Sequence, residues 1–110
     1  LLGSMNYVSI NVHHGIEPSR RDDLESLVYI MYYLWNGCVE WDEFTVEQYS
    51  NYTDMSIAIA NKKIECLDCD RTPLYIRNMF TYCRNLGFDE TPDYIYLLLD
   101  IMSNNTTTLL

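Results

Sequence analysis

At 110 residues and 48% hydrophobic composition the chain can bury one core, which excludes wholesale disorder and leaves no room for a second domain. Its net charge of −9, from 16 acidic and 7 basic residues, repels phosphate backbones and anionic lipid, so neither nucleic acid nor a membrane surface is an expected partner. No apolar run approaches the roughly 20 residues that span a bilayer.

The opening Leu1-Leu2-Gly3-Ser4 lacks both a Met and a basic stretch, so no signal peptide is expected and the chain reads as a fragment, a processed product or a partly read sequence. Residues 1–18 hold Gly3, Gly15 and Pro18 without helical period and read as an ordered loop. Ser19 then precedes Arg20-Arg21-Asp22-Asp23, a helix start with acids in its first turn. Leu24, Leu27, Val28, Met31, Leu34 and Trp35 follow at helical spacing, up to the stop signal Asn36-Gly37. Tyr29, Ile30, Tyr32 and Tyr33 make the other faces apolar too, which predicts a central helix packed on most sides.

Residues 39–44 form an acidic connection around Trp41. Thr45, with Gln48 three residues on, predicts a capped helix running towards Lys62-Lys63, peripheral because its stripe of Val46, Tyr49, Thr53 and Ile57 is weak. Residues 64–72 read as a loop. Pro73 opens a third helix with Ile76, Met79, Phe80, Cys83 and Leu86 on one face. Pro92 opens a fourth through Tyr94, Leu97, Leu98, Ile101 and Met102, and a polar tail occupies 103–110. With no alternating strand pattern, no repeat and no Gly/Ser linker, the expected class is all-α.

Cys38, Cys66, Cys69 and Cys83 are the four cysteines. Cys66-Leu67-Asp68-Cys69 has the spacing of a zinc knuckle or redox pair, but a zinc site needs a second ligand pair, and His13 and His14 lie far off in sequence. Reduced thiols in an intracellular protein are the expectation, and no metal site is expected. The glycosylation sequons at Asn51, Asn104 and Asn105 carry no meaning without secretion.

From Tyr7 the sequence runs Tyr-Val-Ser-Ile-Asn-Val-His-His-Gly-Ile-Glu-Pro-Ser-Arg-Arg-Asp-Asp-Leu-Glu-Ser-Leu-Val-Tyr. It closely resembles the casein kinase 1 family of protein kinases, whose activation segment ends in Ser-Ile-Asn and whose central lower-lobe helix begins Ser-Arg-Arg-Asp-Asp-Leu-Glu-Ser-Leu. Trp41 stands where that family has the Trp of a Leu-Pro-Trp turn. Tyr82-Cys83-Arg84-Asn85-Leu86 and Phe88-Asp89-Glu90-Thr91-Pro92-Asp93-Tyr94 are similar to its last helices, so the likeness covers residues 2 to 100.

The resemblance implies the helical part of the C-terminal lobe of a protein-kinase-like fold. Residues 1–18 would be the end of the activation segment and the substrate-facing loop, and 19–102 the helical core. Ser4 would contact the catalytic machinery; Asn6, Ser9, Ile10 and Asn11 would line the substrate side. Asp23 would brace the catalytic loop. A complete parent would use ATP and magnesium to phosphorylate Ser or Thr in a protein substrate.

This chain holds none of the catalytic parts. Its four glycines form no glycine-rich loop, neither His precedes Arg-Asp, and no Asp-Phe-Gly occurs. No residue is therefore expected to be catalytic, and the missing kinase half would have to come in cis or from a partner subunit. The substrate side departs from the family as well. Asn6 replaces an Arg that holds anionic groups, and Glu47-Gln48-Tyr49-Ser50-Asn51 replaces a basic run near Glu43 and Tyr52, which removes the basis for a preference for phosphorylated or acidic substrates. The alternatives are a truncated or degenerate kinase lobe serving as a binding scaffold, and a small zinc-knuckle adaptor resting on Cys66 and Cys69 alone.

Overall fold

The structure, a computed structural model, describes residues 2–109, and the side chains of 5–45 and 47–103. Its order is α1 (Leu2–Tyr7), α2 (Ile10–His13), α3 (Arg20–Asn36), two 3-10 turns at Glu40–Glu43 and Val46–Gln48, α4 (Tyr52–Leu67), α5 (Leu74–Asn85) and α6 (Tyr94–Leu109). No strand occurs among the described residues, so the all-α class stands.

The first eighteen residues are not the loop that the sequence predicts, because α1 and α2 lie within them. Elements of one or two turns are too short to display a period. What makes α2 is a cap: the Ser9 hydroxyl accepts from the Val12 amide at 3.2 Å. Gly15, at φ 80°, ends this stretch in the left-handed region.

A capping box between Ser19 and Asp22 starts α3, the Ser19 amide donating to the Asp22 carboxylate at 2.8 Å. Gly37, at φ 84°, closes it by donating to the Tyr33 carbonyl at 2.7 Å. The buried face of α3 is Leu24, Glu25, Val28, Tyr29 and Tyr32. This splits the predicted stripe, since Leu27 and Leu34 are 49% and 74% exposed. The helix is not wrapped on most sides; its inner face meets α1 and α5.

Trp41 completes the centre. It is fully buried, with ring centroids 5.6 Å from Tyr29 and 5.4 Å from Tyr32. Its indole N–H donates to the Asn6 carbonyl at 2.8 Å, tying the turn to α1.

The second predicted helix is divided. Thr45 and Gln48 do make a local bond, from the Thr45 amide to Gln48 Oε1 at 2.9 Å, but it closes only a 3-10 turn. A new cap, Asn51 accepting from the Asp54 amide at 2.9 Å, starts α4. Met55, Ile59, Ala60, Lys63, Cys66 and Leu67 are its inner stripe, so α4 is a core helix and runs through Cys66. In α5 the predicted face of Ile76, Met79, Phe80 and Cys83 is buried as expected. α6 turns in Leu97 and partly Ile101, leaves Leu98 and Met102 exposed, and stays helical in backbone through the polar tail.

Candidate functional site

The Ser9-Ile10-Asn11 tripeptide is bolted to the two core helices by three different bonds. The Ser9 hydroxyl donates to Asp22 Oδ1 at 2.6 Å, the Ile10 amide donates to Glu25 Oε2 at 2.7 Å, and Arg84 of α5 donates to Asn11 Oδ1 at 3.0 Å. Arg84 also lies 3.8 Å from Glu25 Oε1, and the Tyr29 hydroxyl donates to Glu25 Oε2. Burial pushes the Glu25 carboxyl above its usual range, although Tyr29, the Ile10 amide and Arg84 pull the other way. The same burial, with Glu25 beside it, pushes the Tyr29 phenol far up, so it stays a donor.

Beneath this joint sits a buried ammonium. Lys63 Nζ donates to the Met5 carbonyl at 3.0 Å, the Val8 carbonyl at 2.6 Å and His13 Nε2 at 2.9 Å, one acceptor for each of its protons. It also lies 4.5 Å from the centroid of the Tyr29 ring. Since Lys63 donates to Nε2, His13 is neutral with its proton on Nδ1, which donates to Ser56 Oγ at 2.7 Å. Burial lowers the Lys63 ammonium to about 7. Burial, then the charge of Lys63, lowers His13 to about 3.

The residues expected on the substrate side are thus dispersed in role. Ser9 and Ile10 are buried and face inward, and Asn11 is half-buried against Arg84. The Ser4 side chain lies outside the described residues. Asn6 is half-buried and donates to Asp42 Oδ1 at 2.7 Å. It stands beside a cavity of about 220 Å³ walled by Met5, Trp41, Phe44, Met55 and Ile59, with Asp42, Thr45 and Glu47 on its polar side. Asp23 is exposed, at a hollow of about 170 Å³ shared with Arg20, Leu24, Leu27 and Tyr94.

Asp22, Glu25, Lys63, His13 and Arg84 were not singled out by sequence, yet they carry the joint. A signal existed for two of them. Glu25 shares a face with Val28, Tyr29 and Tyr32, and Lys63 with Ile59, Ala60 and Cys66; a charge on an apolar stripe needs a partner. Both were hidden by the stripe read for each helix, which on α3 shares only Leu24 and Val28 with the buried face and on α4 shares none of it.

The cysteine pair diverges. Cys66 is buried and donates to Glu40 Oε2 at 2.7 Å, whereas Cys69 is exposed. Burial and that carboxylate push the Cys66 thiol up to about 12. Burial works against the Glu40 charge, but bonds from Cys66, Tyr32 and Asn36, with Arg71 nearby, hold its carboxyl below the usual range. Among the described residues no three His, Cys, Asp or Glu side chains converge on a metal position. The one buried Lys among the described residues is committed to two carbonyls and His13, so it is not free to hold a phosphate. Among those residues no helix is long and apolar enough to cross a membrane. No protein-family model matches the sequence.

Proposed function

We propose that the chain is the C-terminal-lobe portion of a casein kinase 1-like serine/threonine kinase, intracellular, acting on a protein substrate and not catalytic by itself. The observation that carries this reading is the outer face of α3. Leu27, Ile30, Tyr33 and Leu34 are 49%, 39%, 43% and 74% exposed on a helix whose other side is fully packed. Exposed apolar area of this kind marks an interaction surface. The carboxylate of Asp23 stands exposed at the head of the same helix, where the resemblance puts a brace for a catalytic loop. The Ser-Ile-Asn joint supports the reading too, since it fixes the end of an activation-type segment onto the core helices.

In this reading ATP, magnesium and the catalytic Asp belong to a half outside these 110 residues, packed on the α3 face in cis or as a partner subunit. The coding sequence upstream of residue 1 tests it. Glycine-rich, His-Arg-Asp and Asp-Phe-Gly motifs are expected there in frame, and the joined chain should phosphorylate Ser/Thr peptides with magnesium-ATP. A stop codon or an unrelated upstream sequence would overturn the enzyme reading and favour a scaffold lobe that docks a partner on the same face.

A further inference from the structure

The cavity between α1, the 3-10 turns and α4 is formed by different elements from the outer face of α3. Trp41, Met55 and Ile59 make its floor, all but out of reach of water, and half-buried Met5 and Phe44 frame its mouth. Its volume of about 220 Å³ is below the ~300–1,000 Å³ of sites for drug-sized molecules, but it suits one large apolar side chain. An apolar hole of that size is matched by a residue of a longer segment.

The charge around it specifies the segment. Residues 39–51 contain Glu40, Asp42, Glu43 and Glu47 and neither Lys nor Arg. Glu40 is turned away, engaged with Arg71, Asn36, Tyr32 and Cys66. Asp42 and Glu47 line the cavity and are exposed, and the donor that Asn6 offers Asp42 is a neutral amide, which leaves the carboxylate charge in place. The whole chain, at −9, adds to the negative field at this mouth.

We propose that this groove docks a basic, extended protein segment, with one aliphatic or aromatic side chain in the cavity and a neighbouring Lys or Arg on Asp42 or Glu47. A phosphorylated or acidic segment meets like charge at the rim and is rejected. A polycation without the apolar anchor makes only exposed ion pairs, each worth about two- to fivefold in affinity. The proposal does not rest on the kinase reading, because the cavity and its carboxylates belong to this chain and binding is measured without phosphoryl transfer.

The test uses the intact chain and a labelled Ser/Gly peptide carrying one Leu with Arg on either side, read by fluorescence anisotropy at low salt. Methyl resonances of Met55 and Ile59 should shift on binding. Replacing the peptide Leu by Ala should weaken binding about tenfold, and Glu47→Gln in the protein about threefold. A peptide with Glu in place of Arg should not bind. Equal binding of that acidic peptide, insensitivity to the Leu replacement, or unmoved Met55 and Ile59 methyls would each overturn the proposal.

Discussion

The two sides of α3 differ in a way that hydrophobicity does not anticipate. The inner side carries Glu25 among Val28, Tyr29 and Tyr32 and is buried; the outer side carries Leu27, Ile30 and Leu34 and is exposed. By composition the outer side is the greasier of the two. Burial here follows which neighbours are present, and the polar groups inside are those that tie distant segments together. Glu25 joins residue 10 to residue 84, and Lys63 joins α4 to residues 5, 8 and 13. An apolar face gains nothing until something covers it.

The comparison breaks most sharply at Glu25. Glu25→Ala removes the acceptor for the Ile10 amide and the Tyr29 hydroxyl and strips Arg84 of its partner charge. Urea unfolding should show a loss of about 2–4 kcal/mol, because two buried donors, the Ile10 amide and the Tyr29 hydroxyl, are left without an acceptor. A loss under about 1 kcal/mol would mean that the joint contributes little.

Lys63→Met comes next, at about 1–3 kcal/mol, because two carbonyls and a ring nitrogen lose their donor while the cost of burying a charge is relieved. Amide exchange of residues 5–13 should accelerate more than that of α5. The variant should also lose a pH dependence. The unfolded chain keeps the Lys63 proton up to about 10.5 and the folded one releases it near about 7, so wild-type stability rises across that window and the Met variant lacks the rise.

How much of this was legible in the sequence depends on the element. The α5 stripe reads directly, because Ile76, Met79, Phe80 and Cys83 leave only one helical face apolar. α3 was legible as a helix but not in its orientation, since apolar residues stand all round it and only its neighbours decide which side is inside. The start of α4 was misplaced because the Thr45–Gln48 spacing and Asn51 both look like helix starts, and nothing local says that only Asn51 caps the long helix. At the candidate site the Ser-Ile-Asn segment could be picked out, but its partners sit between 13 and 73 residues away in sequence. Contacts at that separation are set by the packing of α3 on α5, which no spacing rule shows.

His13 gives a smaller effect with a definite sign. Its proton affinity is depressed to about 3 in the folded state against an ordinary 6.5, so its contribution is complete above pH 6.5 and is lost as pH falls towards 3. The Glu25 carboxyl, pushed up, contributes in the opposite direction above its ordinary value of 4.5. His13→Gln keeps an acceptor for Lys63 and leaves Glu25 alone, so the difference in melting temperature between variant and wild type isolates His13. It should narrow as pH falls from 6.5, and a constant difference would refute the assigned neutral imidazole.

The smallest effect belongs to the outer side. Leu34→Gln should change stability by no more than about 0.5 kcal/mol in the isolated chain. The same substitution in a longer protein that covers α3 should cost several times more, which makes this variant a gauge of whether a neighbour is present.

Lys63 grips the segment before α2 by the carbonyls of Met5 and Val8 and takes no hold on their side chains. A carbonyl is the same group in every residue, so the mooring does not depend on what stands at those two positions. Met5 lines the cavity beside Trp41 and can therefore be exchanged for a residue of another shape without unfastening the chain around it. Variation at position 5 is free to change what the groove accepts while the backbone path, fixed from below, stays where it is.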